Sequence, residues 1–260
     1  MKDILTDILA NKQLEVAMQK QVISIEQLLE EIEDAPAVHS MRQALLDSQS
    51  GIIAEFKRRS PSKGWIHRNA EAGDVVPFYV SAGAAALSIL TDKEFFGGTL
   101  KDIRTVRSHI DIPILRKDFI IDEYQLYQSR MVGADAILLI AAALKESECQ
   151  ELIGRAHELG LEVLLELHHE SELSYITDEV DMIGINNRNL GTFVTDVENS
   201  FRLAGQLPQD TVLVSESGIS NPQTVRRLRQ KGFKGFLIGE TFMKTPQPDE
   251  ALQKFIAEMR

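Results

Sequence analysis

One cysteine and one tryptophan stand in a chain of 260 residues. A lone thiol, Cys149, can form no internal disulfide, and its surroundings "KESECQELI" hold no metal-ligand spacing, so a reducing cytoplasm is expected. Long apolar runs are missing too. The opening "MKDILTDILANKQ" spaces Ile4, Leu5, Ile8 and Leu9 as a helix does and lacks the continuous apolar region of a signal peptide; no other run approaches a membrane span. Basic residues are outnumbered, 28 against 39 acidic, for a formal net charge of −11, which disfavours nucleic acid and anionic membrane as partners. Neither G-x-G-x-x-G nor a Walker sequence occurs, so dinucleotide and NTP cofactors lack support. His39, His67, His109 and His157 are scattered and expected to face solvent. The adjacent pair His168 and His169 suits a loop or helix start better than a metal site. No metal and no cofactor are therefore expected.

What the chain does have is a repeated plan: a helical pattern, a glycine, then a run of Ile, Val and Leu, as in "VSAGAAALSILT", "SRMVGADAILLIAA", "AHELGLEVLLEL" and "LRQKGFKGFLIG". Glycine ends the helix because it accepts the left-handed conformation past the last turn. Near-continuous apolar runs mark parallel strands covered on both faces. These runs fall at 51–56, 86–90, 112–116, 136–140, 162–167, 182–186, 211–215 and 235–238, each followed by a helical stretch. Strand-helix units in that number match a (β/α)8 TIM barrel, which takes about 200–250 residues; a doubly wound open sheet is the competing α/β fold. With no long Pro/Gly/Ser linker, residues 1–260 read as a single domain. Residues 1–48 form an N-terminal helical extension of two helices near 3–20 and 24–33, with "EDAPAVHS" as a break. Ser24 and Gln27 have the spacing of a capping box. The extension either closes the bottom of the barrel or covers its mouth.

In such barrels the chemistry lies at the C-terminal ends of the strands. The first strand ends in Glu55 and Lys57, the third in Lys117, the fifth in Glu166, and the sixth in Asn186 and Arg188. Burial raises a carboxyl pKa and depresses an ammonium, so Lys57 and Lys117 are candidate proton donors with Glu166 as the opposite partner. The last two strands end in "SESGIS" and "FLIGETF", where Gly218 and Gly239 allow backbone N–H groups to approach an anion. The basic cluster at 57–63 runs against the acidic whole and points to a small anionic ligand. These residues alone leave open a phosphosugar enzyme, including a Schiff-base aldolase using Lys117, and a non-catalytic phosphate-metabolite binder.

The segments "IIAEFKRRSPSKG", "LSILTDKEFFGG", "PILRKDFIID", "LLEL", "IGINNRNL", "VSESGIS" and "FLIGETFM", in this order, resemble the indole-3-glycerol phosphate synthase family. The resemblance runs from the first strand to the last, and the extension before the barrel resembles the family's extra helices. It implies closure of 1-(2-carboxyphenylamino)-1-deoxyribulose 5-phosphate, a phosphosugar-anthranilate compound, to indole-3-glycerol phosphate, CO2 and water in tryptophan biosynthesis, without metal or organic cofactor. Carried over by position, Lys117 matches the general acid at the ribulose carbonyl oxygen and Glu166 its acid/base partner. Glu55 and Asn186 match residues that orient substrate and assist proton transfer. Lys57 matches the strand-one lysine, and the roles of the two lysines are exchangeable between condensation and dehydration. Arg188 and Ser60 match positions near the anthranilate carboxylate, and Phe96 and Phe119 the walls for the aromatic ring. Ser217, Gly218, Gly239 and Glu240 match the phosphate-binding strand ends; where some relatives carry serine, this chain has Glu240, whose contribution is limited to its backbone N–H. "RRSPSKG" is expected to be a mobile loop carrying Trp65. A cytoplasmic monomer is favoured.

Overall fold

The computed structural model describes residues 4–259; the start of the first expected helix, residue 3, lies outside them. Eight parallel strands close on themselves: β1 Ile52–Phe56, β2 Ala86–Leu90, β3 Ile114–Lys117, β4 Ala136–Ile140, β5 Glu162–Leu167, β6 Met182–Asn186, β7 Val212–Glu216 and β8 Phe233–Ile238. Closure is explicit in the register, because β1 pairs with β8 through Ile53↔Leu237 and with β2 through Ile53↔Ala86. An open doubly wound sheet is thereby excluded.

The two-residue period of a strand sorts the side chains into two cores. One set, including Ile53, Leu115, Leu138, Leu164, Met182, Val214 and Leu237, fills the barrel interior. The alternate set, including Ile52, Ala54, Ile114, Val163, Leu165 and Ile183, faces outward against the helices. Continuing the inward set by one step, or by two past Gly184 in β6, brings Glu55, Lys117, Glu166, Asn186 and Glu216 to the same end of the barrel, which is how an apolar tube acquires a charged rim.

Three helices precede the barrel: α1 Ile4–Val22, α2 Ile25–Glu33 and α3 Met41–Asp47. Ser24 and Gln27 form the expected reciprocal cap of α2. The third helix was not anticipated. It is short, and its N-cap Ser40 sits inside the segment read as a break. The extension serves both of the roles considered for it: Met41 and Leu45 of α3 join the barrel interior, with Leu45 beside Gly235 of β8, whereas Ile4, Leu5 and Ile8 of α1 line the cavity at the opposite end.

Helix α1 is held there by a buried cation. Lys12 is fully buried, its Nζ 2.9 Å from Asp118, 3.1 Å from Asp92 and 2.9 Å from Glu15. Burial opposes its charge, but the carboxylates outweigh that effect and raise its pKa. Asp118 is shared with Arg116 at 2.9 Å and Thr91 at 2.6 Å. Lys12→Met should therefore cost about 3 kcal/mol, the low end for breaking a buried pair, since Arg116 still serves Asp118. Denaturant titration measures this; a change below about 1 kcal/mol, the scale of surface pairs, would show that the pair does not anchor the helix.

Helices α4 Ala72–Ser81, α5 Leu100–Arg107, α6 Tyr124–Met131, α7 Glu146–Glu158, α8 Glu198–Leu203, α9 Pro222–Gln230, α10 Glu240–Met243 and α11 Pro248–Met259 complete the chain. The helical stretch expected after β5 is a 3₁₀ segment, Glu170–Tyr175. Of the histidines expected to face solvent only His109 is exposed without a side-chain partner described. His157 Nε2 lies 2.9 Å from Asp181, His39 donates its backbone N–H to Asp135, and His67 is half-buried. No described helix is long and apolar enough to cross a membrane.

Candidate active site

The charged rim opens into a cavity of about 400 Å³. The candidate site residues named from the sequence all line it: Glu55, Lys57, Ser60, Phe96, Lys117, Phe119, Glu166, Asn186, Arg188, Ser217, Gly218, Gly239 and Glu240.

At its floor the ammonium of Lys117 lies 2.5 Å from Glu216, 3.6 Å from Glu166 and 4.0 Å from Glu55. Glu55 bridges the two lysines, because its other oxygen accepts from Lys57 Nζ at 2.5 Å. The expected depression of Lys117 by burial is overturned: burial does push it down, but Glu216, Glu166 and Glu55 together push its pKa up, so it stays an ammonium. Glu55 is likewise pushed up by burial and brought below the usual carboxylate range by Lys57 and then Lys117. Glu216 goes the other way. Burial raises it to about 7, with Lys117 opposing and Glu166 adding to the rise.

Glu216 was missed by the sequence reading, although it ends an apolar run, "TVLVSE", just as Glu55 and Glu166 do. It is fully buried behind Lys117. Glycine on a neighbouring strand makes its room: a Cβ at Gly184 would come within 2.3 Å of Glu216 Oε1. Gly239 does the same for Glu55, at 2.2 Å, and its φ of −121° is open to any residue. Its first role is thus clearance for a carboxylate, in addition to opening α10 at the cavity rim.

Ser217 and Gly218 turn the chain at the end of β7 with φ of +66° and +76°. For Ser217 this is a strained conformation. It is held by Asn187, whose Nδ2 donates to the Ser217 carbonyl and to Ser215 Oγ, both at 3.1 Å. Thr241 of α10 donates to the Ile219 carbonyl at 3.0 Å, tying the loop after β7 to the helix after β8.

The segment after β1 is an antiparallel ribbon of Arg59–Ser60 with Gly64–Trp65. Its charges divide. Lys57 and Lys63 face the cavity, whereas Arg58 makes paired bonds to Asp102 at 2.7 and 2.8 Å and Arg59 donates to the Glu94 carbonyl. Those two arginines fasten the segment, so of the basic cluster at 57–63 it is Lys57 and Lys63 that line the cavity. Arg188 reaches across from β6 to Ser62 at 2.7 Å and lies 3.6 Å from Glu240. Phe96 and Phe119 stand 6.0 Å apart, tilted by 39°. No cluster of three or more His, Cys, Asp or Glu among the described residues is arranged to hold a metal ion.

The model of one protein family, described as indole-3-glycerol phosphate synthase, matches residues 5–255. The chain is 72% identical over 256 residues to the indole-3-glycerol phosphate synthase of Bacteroides thetaiotaomicron, covering 98% of each. It is 42% identical to that of Magnetococcus marinus, covering 98% of each, and 40% identical to that of Bordetella pertussis, covering 99% of this chain and 100% of the relative. Among solved structures it resembles the tryptophan synthase alpha subunit of Legionella pneumophila, with a TM-score of 0.61 at 13% identity over 86% of this chain and 97% of that one. At that identity the likeness concerns the fold alone.

Proposed function

The chain belongs to the indole-3-glycerol phosphate synthase family, and we propose that Lys117 and the carboxylates around it carry out the family's decarboxylative ring closure. The enzyme is a carboxy-lyase of tryptophan biosynthesis acting on 1-(2-carboxyphenylamino)-1-deoxyribulose 5-phosphate. The observation that carries the assignment of roles is the ammonium held among Glu216, Glu166 and Glu55 at the floor of a cavity with an aromatic wall on one side and an anion cradle on another.

The substrate has an anion at each end and a ketone between. Its phosphate suits the backbone at Ser217 and Gly218 and the first turn of α10, where the Glu240 side chain is turned toward Arg188. Its anthranilate carboxylate suits Arg188 and Ser60, and its ring the walls of Phe96, Phe119 and the apolar residues of α1. When the ring carbon bearing the carboxylate attacks the ketone, the carbonyl oxygen gains negative charge. A fixed ammonium aimed at that oxygen lowers the barrier, most strongly where water is excluded. Carbon dioxide then leaves and its bonding electrons restore the aromatic ring. Dehydration follows: an acid protonates the departing hydroxyl while a base removes a proton from carbon.

Lys117 serves the first step as a charge that burial does not discharge, giving up its proton only to a base as strong as an alkoxide. Lys57, linked to Lys117 through Glu55, is placed to supply the proton for dehydration, and Glu166 in its ionised form to accept the one from carbon. Asn186, whose Oδ1 accepts from the Arg188 backbone N–H at 3.0 Å, orients substrate beside them. Conversion of the substrate with metals chelated, followed as indole fluorescence, tests this reading. A protein that binds substrate and leaves it unchanged would contradict it.

A second expected result concerns the ribbon. Trp65 is 46% exposed and stacked between Arg59 and Arg68, with ring distances of 5.6 and 5.1 Å. Because Ser62 of the same segment holds Arg188, a ligand carboxylate that engages Arg188 should shift the ribbon and change Trp65 emission. Unchanged emission at saturating substrate analogue would mean that the ribbon is indifferent to the ligand.

A further inference from the structure

We propose that His168 is a positioning residue for Glu166, fixing the orientation of the carboxylate that accepts a proton. The inference rests on the role given to Glu166 above. His168 is the first residue beyond β5 and is 3% exposed, although its neighbour His169 is in solvent. Its backbone is pinned on both sides: the N–H donates to Glu172 Oε2 at 2.6 Å and the carbonyl accepts from Asn199 Nδ2 of α8 at 3.1 Å. The ring is thereby driven inward, and Nε2 lies 3.3 Å from Glu166 Oε1 while Lys117 Nζ lies 3.6 Å from the other oxygen, Oε2. The carboxylate thus lies between an imidazole nitrogen near one oxygen and an ammonium near the other.

The chemistry of the ring selects one arrangement. Burial disfavours the imidazolium and lowers the His168 pKa, with Glu172 and Glu216 opposing, and His169 and Lys117 adding to the fall. A neutral imidazole has a single N–H, and of the two carboxylates beside the ring Glu166 is the nearer, its Oε1 3.3 Å from Nε2 against 4.0 Å between Glu172 Oε2 and Nδ1. The tautomer protonated at Nε2 therefore points its proton at Glu166. Neither ring nitrogen is aligned for a hydrogen bond in this structure. A small rotation of the Glu166 carboxylate, of the kind substrate imposes, completes the bond, as catalytic hydrogen bonds often tighten only in the complex. The groups facing His168 are Glu166 of its own strand, Glu172 of the 3₁₀ segment, Glu216 of β7, Lys117 of β3 and His169; the arrangement leaves Glu166 as the partner within bonding distance.

The test compares His168→Leu, which removes the donor, with His168→Gln, which restores an N–H, and includes Glu166→Gln as a reference. For His168→Leu, kcat should fall roughly tenfold, the low end for removing a group that orients a functional side chain. KM should change less than about twofold, because a positioning group acts on turnover more than on binding. His168→Gln should recover most of kcat. A leucine variant that keeps wild-type kcat, or a glutamine variant that folds and remains as impaired as leucine, overturns the proposal. Should the leucine variant fail to fold, the glutamine variant alone decides: near wild-type turnover is expected, and a tenfold loss overturns the idea. If Glu166→Gln is impaired and His168→Leu is not, the inference fails while the role of Glu166 stands; if Glu166→Gln turns over normally, that role fails and the inference with it.

Discussion

Lys117→Ala should lose roughly 10²- to 10⁴-fold in turnover, the range spanned by positioned acid groups and oxyanion donors. The argument is electrostatic. Ring closure places new negative charge on a carbonyl oxygen, and Lys117 is the ammonium at the centre of the floor, 2.5 Å from Glu216 and 3.6 Å from Glu166. Its removal withdraws the stabilising charge and leaves Glu55, Glu166 and Glu216 crowded together in a buried space. Like charges so placed cannot all stay ionised, so the variant should also bind an extra proton near neutral pH. Lys117→Arg keeps the charge but spreads it over a planar fork, and should recover the proton balance without recovering turnover. Steady-state kinetics with binding of a substrate analogue as the control for folding measures this. Turnover within tenfold of wild type in Lys117→Ala would remove the lysine from the mechanism.

Glu216→Gln is the second large effect, and it separates activity from stability. The carboxyl nearest Lys117 orients the ammonium and, with a pKa raised to about 7, is poised to exchange protons at neutral pH. Turnover should fall roughly 10²-fold or more. The effect on stability has the opposite sign at high pH. A group whose folded pKa is raised from 4.5 to about 7 contributes stability that is complete below about pH 4.5 and is lost as pH rises through 7. The glutamine has no such dependence. The thermal midpoint of the variant relative to wild type should therefore climb between pH 5 and pH 8. A constant difference across that window would show that Glu216 titrates alike in both states.

Much of this was legible in the sequence because strands obey a short, rigid period. The runs at 86–90, 136–140, 162–167 and 182–186 coincide with β2, β4, β5 and β6, and the same alternation that buries Leu164 turns Glu166 inward. Elements set by tertiary contact were not legible. Helix α3 is too short to show a period, and the ribbon Arg59–Ser60 with Gly64–Trp65 has only two residues on each side. Lys12 reads as one more solvated charge on an amphipathic helix; its burial depends on Asp92 and Asp118, far along the chain. That His168 turns in while His169 turns out is decided by Glu172 and Asn199, which hold its backbone. Glu216 is different, since its signal was present: an acid closing an apolar strand. It was hidden by the glycine and serines beside it, which drew attention to the phosphate.

The sign of the lysine shift is the other instructive difference. Burial alone depresses an ammonium, and from sequence only burial can be inferred. Three carboxylates converging from β1, β5 and β7 reverse the outcome, and their convergence is a property of barrel closure.

The central claim, decarboxylative ring closure on this rim, is met most directly by supplying substrate labelled with ¹⁴C in the anthranilate carboxyl and counting released CO2 against indole-3-glycerol phosphate formed. One label lost for each indole-3-glycerol phosphate, at the same rate, is the predicted result. Substrate consumed with its label retained, or no consumption by protein that binds it, would contradict the account.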